Sequence, residues 1–205
     1  MKQQERQERS KKEILRAGME EFGTSDYGTV TIESVCRKHG ISKGMMYHYY
    51  SGKDELFLAC VGEVFSGLRD YAQARMGEMD DEGDVLEKIK KFFMVREYYF
   101  ETNPLQANIF ANAVIHPPRH LEEQIQELRK PIVSLNRTFI AQALSAIKLR
   151  EGLGSDKAGR YLESMGCVFR SLLKLYAAEG KIRDIPSLLE NTIELLDMCL
   201  FGVAR

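Results

Sequence analysis

The sequence predicts an all-helical protein. Apolar residues recur at steps of three or four along nearly the whole chain, and no convincing run alternates by two. Glycine or proline falls where the apolar stripes break, so helices of ordinary length follow one another, about nine in all. Of 205 residues, 44% are hydrophobic and 29% charged, which excludes a disordered chain because a sizeable core can be buried. Sixteen Gly and five Pro are too few for a collagenous or low-complexity protein.

The elements follow in order. Ile14, Ala17, Gly18 and Phe22 mark the first stripe, and Gly23 and Gly28 bracket the first loop. Thr31 is suited to cap a short helix that ends before Gly40, where glycine takes a left-handed backbone without a Cβ penalty. Ser42 caps a second short helix beginning at Lys43. Leu56, Cys60, Val64, Leu68 and Tyr71 form the next stripe, and Asp80 to Asp84 form a solvated acidic turn. Ile89, Phe92, Tyr99 and Phe100 follow, interrupted by Arg96 and stopped at Asn103-Pro104, since the residue before proline avoids the α region.

After Pro117-Pro118, a stripe from Leu121 to Ile147 contains Pro131, where the helix is expected to kink or split. Two final helices are predicted at about 156–179 and 186–203. In the last, Leu188, Leu189, Ile193, Leu195, Leu196, Met198, Cys199, Leu200 and Phe201 nearly circle the axis. Such a helix needs cover on most sides, and a second copy of the chain supplies it through a symmetric patch including Leu172, Leu189, Ile193, Leu196 and Leu200.

The charge is unevenly divided. Residues 1–53 hold ten Lys/Arg against seven Asp/Glu, and the remainder nineteen against 23. A mildly basic head on an acidic body permits a nucleic-acid partner without proving one. Cys36, Cys60, Cys167 and Cys199 are widely spaced and read as buried thiols rather than a disulfide frame. No window approaches the roughly 18 apolar residues of a membrane span, and the polar start does not read as a signal peptide, so a cytoplasmic protein without membrane association is expected.

Residues 31–50 are the informative stretch, a helix, tight glycine turn and helix that lets the second helix project. Val35, Cys36, Ile41 and Met46 are spaced to meet Ile14 and Phe22, with Tyr50 also inward. Lys43, Gly44, Met45, Tyr47, His48 and Tyr49 are left on or near the surface. Lys and Tyr donors reach phosphate oxygens, and a short helix fits the B-form major groove, about 12 Å wide. The same spacing also suits a solvated face over core aromatics, and residue type alone leaves both readings open.

Thr31-Ile32, Val35-Cys36, the run Gly40 to Tyr50 and Lys53-Asp54-Glu55-Leu56 resemble the DNA-binding head of the TetR family of bacterial transcriptional regulators. Ile14-Leu15, Ala17-Gly18, Phe22-Gly23 and Tyr27-Gly28 sit at that family's spacing too, so the resemblance covers roughly residues 11–57. It implies a head over 8–68, with the helix-turn-helix at 31–50 and the boundary inside the fourth helix, and an effector-binding and dimerisation body over 69–205. By position, Lys43, Gly44 and Met45 match base-proximal sites; Tyr47, Tyr49 and Lys53 match phosphate sites; Thr31 matches the hydroxyl that caps the second helix near a phosphate. Two departures stand out. Ser34 replaces an acid that often completes the cap, which predicts a weaker cap, and Met45 replaces a smaller or polar residue and cannot read bases by hydrogen bonds.

Other chemistries fare poorly. Cys36, His39 and His48 lack a fourth ligand for zinc, and Pro117-Pro118 keeps His116 and His120 from an i, i+4 pair. No phosphate-cradling glycine loop, nucleophile elbow or convergent carboxylate pair is visible, so neither an enzyme nor a cofactor is expected. Aromatics concentrate between residues 92 and 110, with Asn108, Asn112 and His116 following at steps of four. That pattern is either packed core or a small-molecule cavity; the candidate lining is Phe92, Phe93, Arg96, Tyr99, Phe100, Asn108, Asn112, His116, Phe169 and Tyr176. The resulting expectation is a homodimeric regulator, most simply a repressor released from double-stranded operator DNA by a small-molecule effector. The alternative is a helical interaction or ligand-binding module without DNA binding.

Overall fold

The computed structural model describes residues 2–78, 85–149 and 151–161, together with Ser164. Within these residues the chain runs through seven α-helices: α1 (Lys2–Thr24), α2 (Ile32–His39), α3 (Lys43–Tyr49), α4 (Lys53–Gly77), α5 (Val85–Thr102), α6 (Pro104–Val114) and α7 (Glu122–Ser145). A 3-10 turn, Arg119–Leu121, precedes α7, and a further helix begins at 155. The acidic turn at 80–84 and most of the two final helices lie outside the described residues.

The breaks follow local chemistry. Gly40 takes φ 65°, and its amide and that of Ile41 both return to the Cys36 carbonyl, closing α2. Pro104 occupies the first turn of α6, where its missing N–H has no intrahelical partner to lose. Gly23 is buried one residue before the end of α1 at Thr24, so the first loop opens within a residue of where it is expected; the split expected at Pro131 does not occur. Pro131 sits within α7 without splitting it; the residue is exposed, so the hydrogen bond that proline forfeits lies on the wet side of the helix.

The chain divides into two compact units. The first comprises the described residues up to Gly67 together with Thr102–Arg129; the second comprises those of 68–101 and from 130 onward. In the first unit α1 is the central element. Gly18 permits close approach to α4, since a methyl there would stand 2.9 Å from Cys60 Sγ and 3.0 Å from Leu56 Cδ1. Gly23 does the same toward α6, where a methyl would meet Leu105 Cβ at 2.7 Å and its carbonyl oxygen at 2.9 Å. Phe22 packs edge-on to Phe57 with ring centroids 5.0 Å apart, and Tyr27 lies 4.9 Å from the same ring. Ile14, Val35, Ile41 and Met46 are buried as their spacing predicts, as is Tyr50.

In the second unit, Phe92 stacks on Phe139 at 4.0 Å within a core of Ile89, Ile140, Leu144 and Ala158. Tyr99 tilts against Tyr71 at 5.4 Å and Phe100 at 5.3 Å. Each such pair contributes roughly 0.5–1.5 kcal/mol beyond the apolar area it buries.

Candidate nucleic-acid interface

The helix-turn-helix is fixed by two side-chain caps. Thr31 is extended (φ −128°, ψ 152°), and its Oγ1 accepts the Ser34 amide at 3.0 Å. Ser34 Oγ in turn accepts the Thr31 amide at 3.2 Å and donates to the Thr31 carbonyl at 2.7 Å. The capping box is therefore complete, and the expectation of a weaker cap is corrected: serine, although shorter than an acid, reaches the N-cap amide here. Ser42 Oγ accepts the Met45 amide at 3.1 Å and starts α3.

The faces of α3 separate cleanly. Met46 is fully buried and Tyr50, which ends the helix, is 3% exposed. Opposite them Lys43, Gly44, Tyr47 and His48 are exposed, with Tyr47 at 51%. Among the described residues no atom outside its chain neighbours and its own helix backbone lies within 4 Å of where a Gly44 Cβ would sit, so that stretch of backbone is open to close approach. Met45 and Tyr49 are half-buried, Tyr49 against the His48 ring at 4.8 Å.

Both expected lysines have partners. Lys43 Nζ donates to Glu33 Oε1 at 2.8 Å; that bond holds the Glu33 carboxyl below its ordinary pKa and the lysine above its own. Lys53 Nζ donates to the Tyr27 carbonyl at 3.1 Å and lies 4.2 Å from the centre of the Tyr27 ring, which fixes the position of its charge.

Two supporting clusters carry no signal in the sequence. Glu21 of α1, 5% exposed, accepts from Lys38 Nζ at 2.8 Å and pairs with His39 Nε2 at 3.3 Å, pinning α1 to the end of α2. Burial pushes its carboxyl pKa up, but the hydrogen bonds and charges of Lys38 and His39 outweigh burial and hold it below the ordinary value. At the start of α4, Tyr27 Oη donates to Asp54 Oδ1, and Asp54 Oδ2 pairs with His120 Nε2 at 2.9 Å. The Tyr27 hydrogen bond is the main cause of a lowered Asp54 pKa, while burial and Asp54 push the Tyr27 hydroxyl up. Burial likewise raises the Cys36 and Cys60 thiols, so neither offers a ready thiolate.

The residues expected to line an effector cavity fall in both compact units. Phe92, Tyr99 and Phe100 are buried in the second, and Arg96 there is half-buried. Asn108, Asn112 and His116 belong to the first. Asn108 Nδ2 donates to the Phe22 carbonyl at 3.2 Å, and His116 is exposed. Asn112 is 5% exposed, and its Nδ2 has no hydrogen-bond partner among the described residues. The Phe93 side chain, Phe169 and Tyr176 lie outside the described residues, as do the interface candidates Leu172, Leu189, Ile193, Leu196 and Leu200. Among the described residues no group of three or more His, Cys, Asp or Glu is placed to hold a metal, and no helix is long and apolar enough to cross a membrane.

A capped helix-turn-helix on a three-helix core, with a small, cationic and aromatic outer face, defines a helix-turn-helix protein of all-helical architecture. The family model described as "Bacterial regulatory proteins, tetR family" matches residues 14–60, so the head of the chain is similar to the heads of that family. A curated relative, the HTH-type transcriptional regulator BetI 2 of Chromohalobacter salexigens, is 26% identical over 72 residues, so the match spans about a third of each chain, 35% of both. Solved structures extend the likeness in fold. The fatty acid degradation regulator FadR from Bacillus halodurans superposes with TM-score 0.68 at 15% identity, covering 91% of this chain and 93% of that one. FadR from Bacillus subtilis, solved with stearoyl-CoA, gives 0.66 at 14% identity, covering 90% and 96%. A putative tetR family regulator from Shewanella sp. PV-4 gives 0.62 at 14%, covering 96% and 98%.

Proposed function

We propose that this protein is a ligand-responsive transcriptional regulator, a homodimer that binds double-stranded operator DNA through α3 and is released by a small-molecule effector. The outer face of α3 carries the reading. Lys43, Gly44 and Tyr47 stand exposed together on a helix whose start is fixed by Ser42 and whose inner side is locked by Met46. Lysine and tyrosine donors suit phosphate and base acceptors, and the open Gly44 backbone lets the helix approach the groove closely. Tyr49 and the positioned Lys53 flank that face, and the Thr31 hydroxyl stands at the start of α2. The matched head and its curated relative are regulators, which supports a binding protein acting in the cytoplasm over an enzyme.

Dimerisation rests on the apolar sequence of 186–203, which a second copy would cover. The effector is a mainly apolar small molecule, with Asn112 as its polar handle. A buried amide donor without a partner costs about 1–3 kcal/mol, and a ligand acceptor would remove that cost. Release follows if the effector favours a dimer whose recognition helices no longer match half-sites about 34–36 Å apart. The test is a footprint on the DNA upstream of the protein's own gene. A protected two-fold-symmetric segment supports the reading; uniform cleavage at every protein concentration removes it.

A further inference from the structure

Glu33 is the one carboxylate in the sequence between Asp26 and Asp54, a stretch that also holds Arg37, Lys38, Lys43 and Lys53. It lies on the first turn of α2, and its Oε1 is 2.8 Å from Lys43 Nζ on the first residue of α3. Both side chains are more than half exposed, at 63% and 58%. An acid on the face that meets a polyanion is unfavourable by itself, and here it occupies the cation best placed for the groove.

We infer that Glu33 is a specificity-determining residue that withholds Lys43 from non-cognate DNA; the inference rests on the DNA-binding reading above. On an arbitrary duplex, Lys43 must leave a 2.8 Å charged hydrogen bond for a phosphate, stranding the Glu33 carboxylate beside the backbone. Little is gained from that exchange, so the pair stays closed and one cation per subunit releases no counterion. A G·C pair in the major groove satisfies both members at once: guanine O6 and N7 accept from the lysine, and the cytosine N4 amino group donates to the carboxylate. The pair opens where both acceptor and donor are offered, which converts an ion pair into discrimination.

The experiment uses the full-length protein and two duplexes of roughly 30 base pairs, enough for two half-sites a helical turn apart. One is selected from a random library by the wild-type protein; the other is unselected. Glu33→Gln, on an exposed side chain, should tighten binding to the unselected duplex about three- to tenfold and steepen its salt slope by about one per subunit. Affinity for the selected duplex should rise less, so the ratio between the two falls. In a Lys43→Ala background the same substitution should lose at least half of its logarithmic effect, because the interaction it breaks is already absent. An equal effect with and without Lys43 would show only a loss of bulk negative charge and overturn the inference. So would a Glu33→Gln protein that binds both duplexes as wild type does. Failure of the wild-type protein to bind any duplex would remove the DNA-binding reading and the inference together.

Discussion

Thr31 and Ser34 cap each other: each side-chain oxygen accepts the other's backbone amide, at 3.0 and 3.2 Å. The reciprocal bonds fix the entry angle of α2 and hence the frame that carries α3. Thr31→Ala, which leaves the Ser34 amide without its acceptor, should destabilise the protein by about 1 kcal/mol, and Ser34→Ala, which removes both Oγ bonds to the Thr31 backbone, by a similar amount. Urea denaturation followed by circular dichroism measures both. Equal stability of wild type and Thr31→Ala would mean that the cap is ornamental.

Gly18 and Gly23 both permit close helix approach, but their neighbours differ. A Gly18 methyl would meet the side-chain atoms of Cys60 and Leu56, whereas a Gly23 methyl would meet the Leu105 backbone at 2.9–3.0 Å. Side chains can shift and alanine is the better helix former by about 1 kcal/mol, so Gly18→Ala should change stability little. Gly23→Ala forces α1 and α6 apart and should cost roughly 1–3 kcal/mol. The order of the two melting temperatures is the check; the reverse order would refute this account of the α1–α6 contact.

Glu21 makes the head acid-sensitive. Its folded pKa lies below its unfolded value, so its contribution is fully present above about pH 4.3 and is lost as pH falls through the lowered folded value. Glu21→Gln should therefore lower stability near neutrality, by roughly 1–2 kcal/mol, and flatten the stability profile in the acid limb. Denaturation midpoints from pH 7 down to about pH 3 give the comparison. Parallel acid limbs in wild type and variant would exclude Glu21 as the sensing group.

These cases show what the sequence makes legible. Gly40, Ser42 and Asn103-Pro104 act through their own backbones, and their effects are readable one residue at a time. The inward set Val35, Cys36, Ile41 and Met46 follows from helical period alone, and so does the exposed set that includes Lys43 and Tyr47. Gly23 reads in sequence only as the edge of the first loop; its close crossing with α6 shows only through the partner, Leu105. Glu21 with Lys38, Asp54 with His120, and Asn108 with the Phe22 carbonyl join residues from 17 to 86 positions apart. Such pairings leave no periodic trace. The first compact unit ends at Gly67, inside α4, and also takes in 102–129.

Dimerisation is tested by a charge in the expected apolar seam. Leu196→Glu should yield monomer or aggregate, since an unpaired charge in a desolvated interface costs several kcal/mol. Sedimentation equilibrium at micromolar concentration reports it. A wild-type monomer under those conditions would exclude the assembly.

The most direct test of the central claim is the salt dependence of binding to the duplex upstream of the protein's own gene. It is measured by fluorescence anisotropy between about 50 and 200 mM salt for wild type and Lys53→Ala. The account predicts that log K falls steeply and linearly with log salt for wild type, and that Lys53→Ala weakens binding and lowers the slope by about one per subunit. A wild-type protein that binds no duplex at the lowest salt, or a slope untouched by the loss of Lys53, would contradict it.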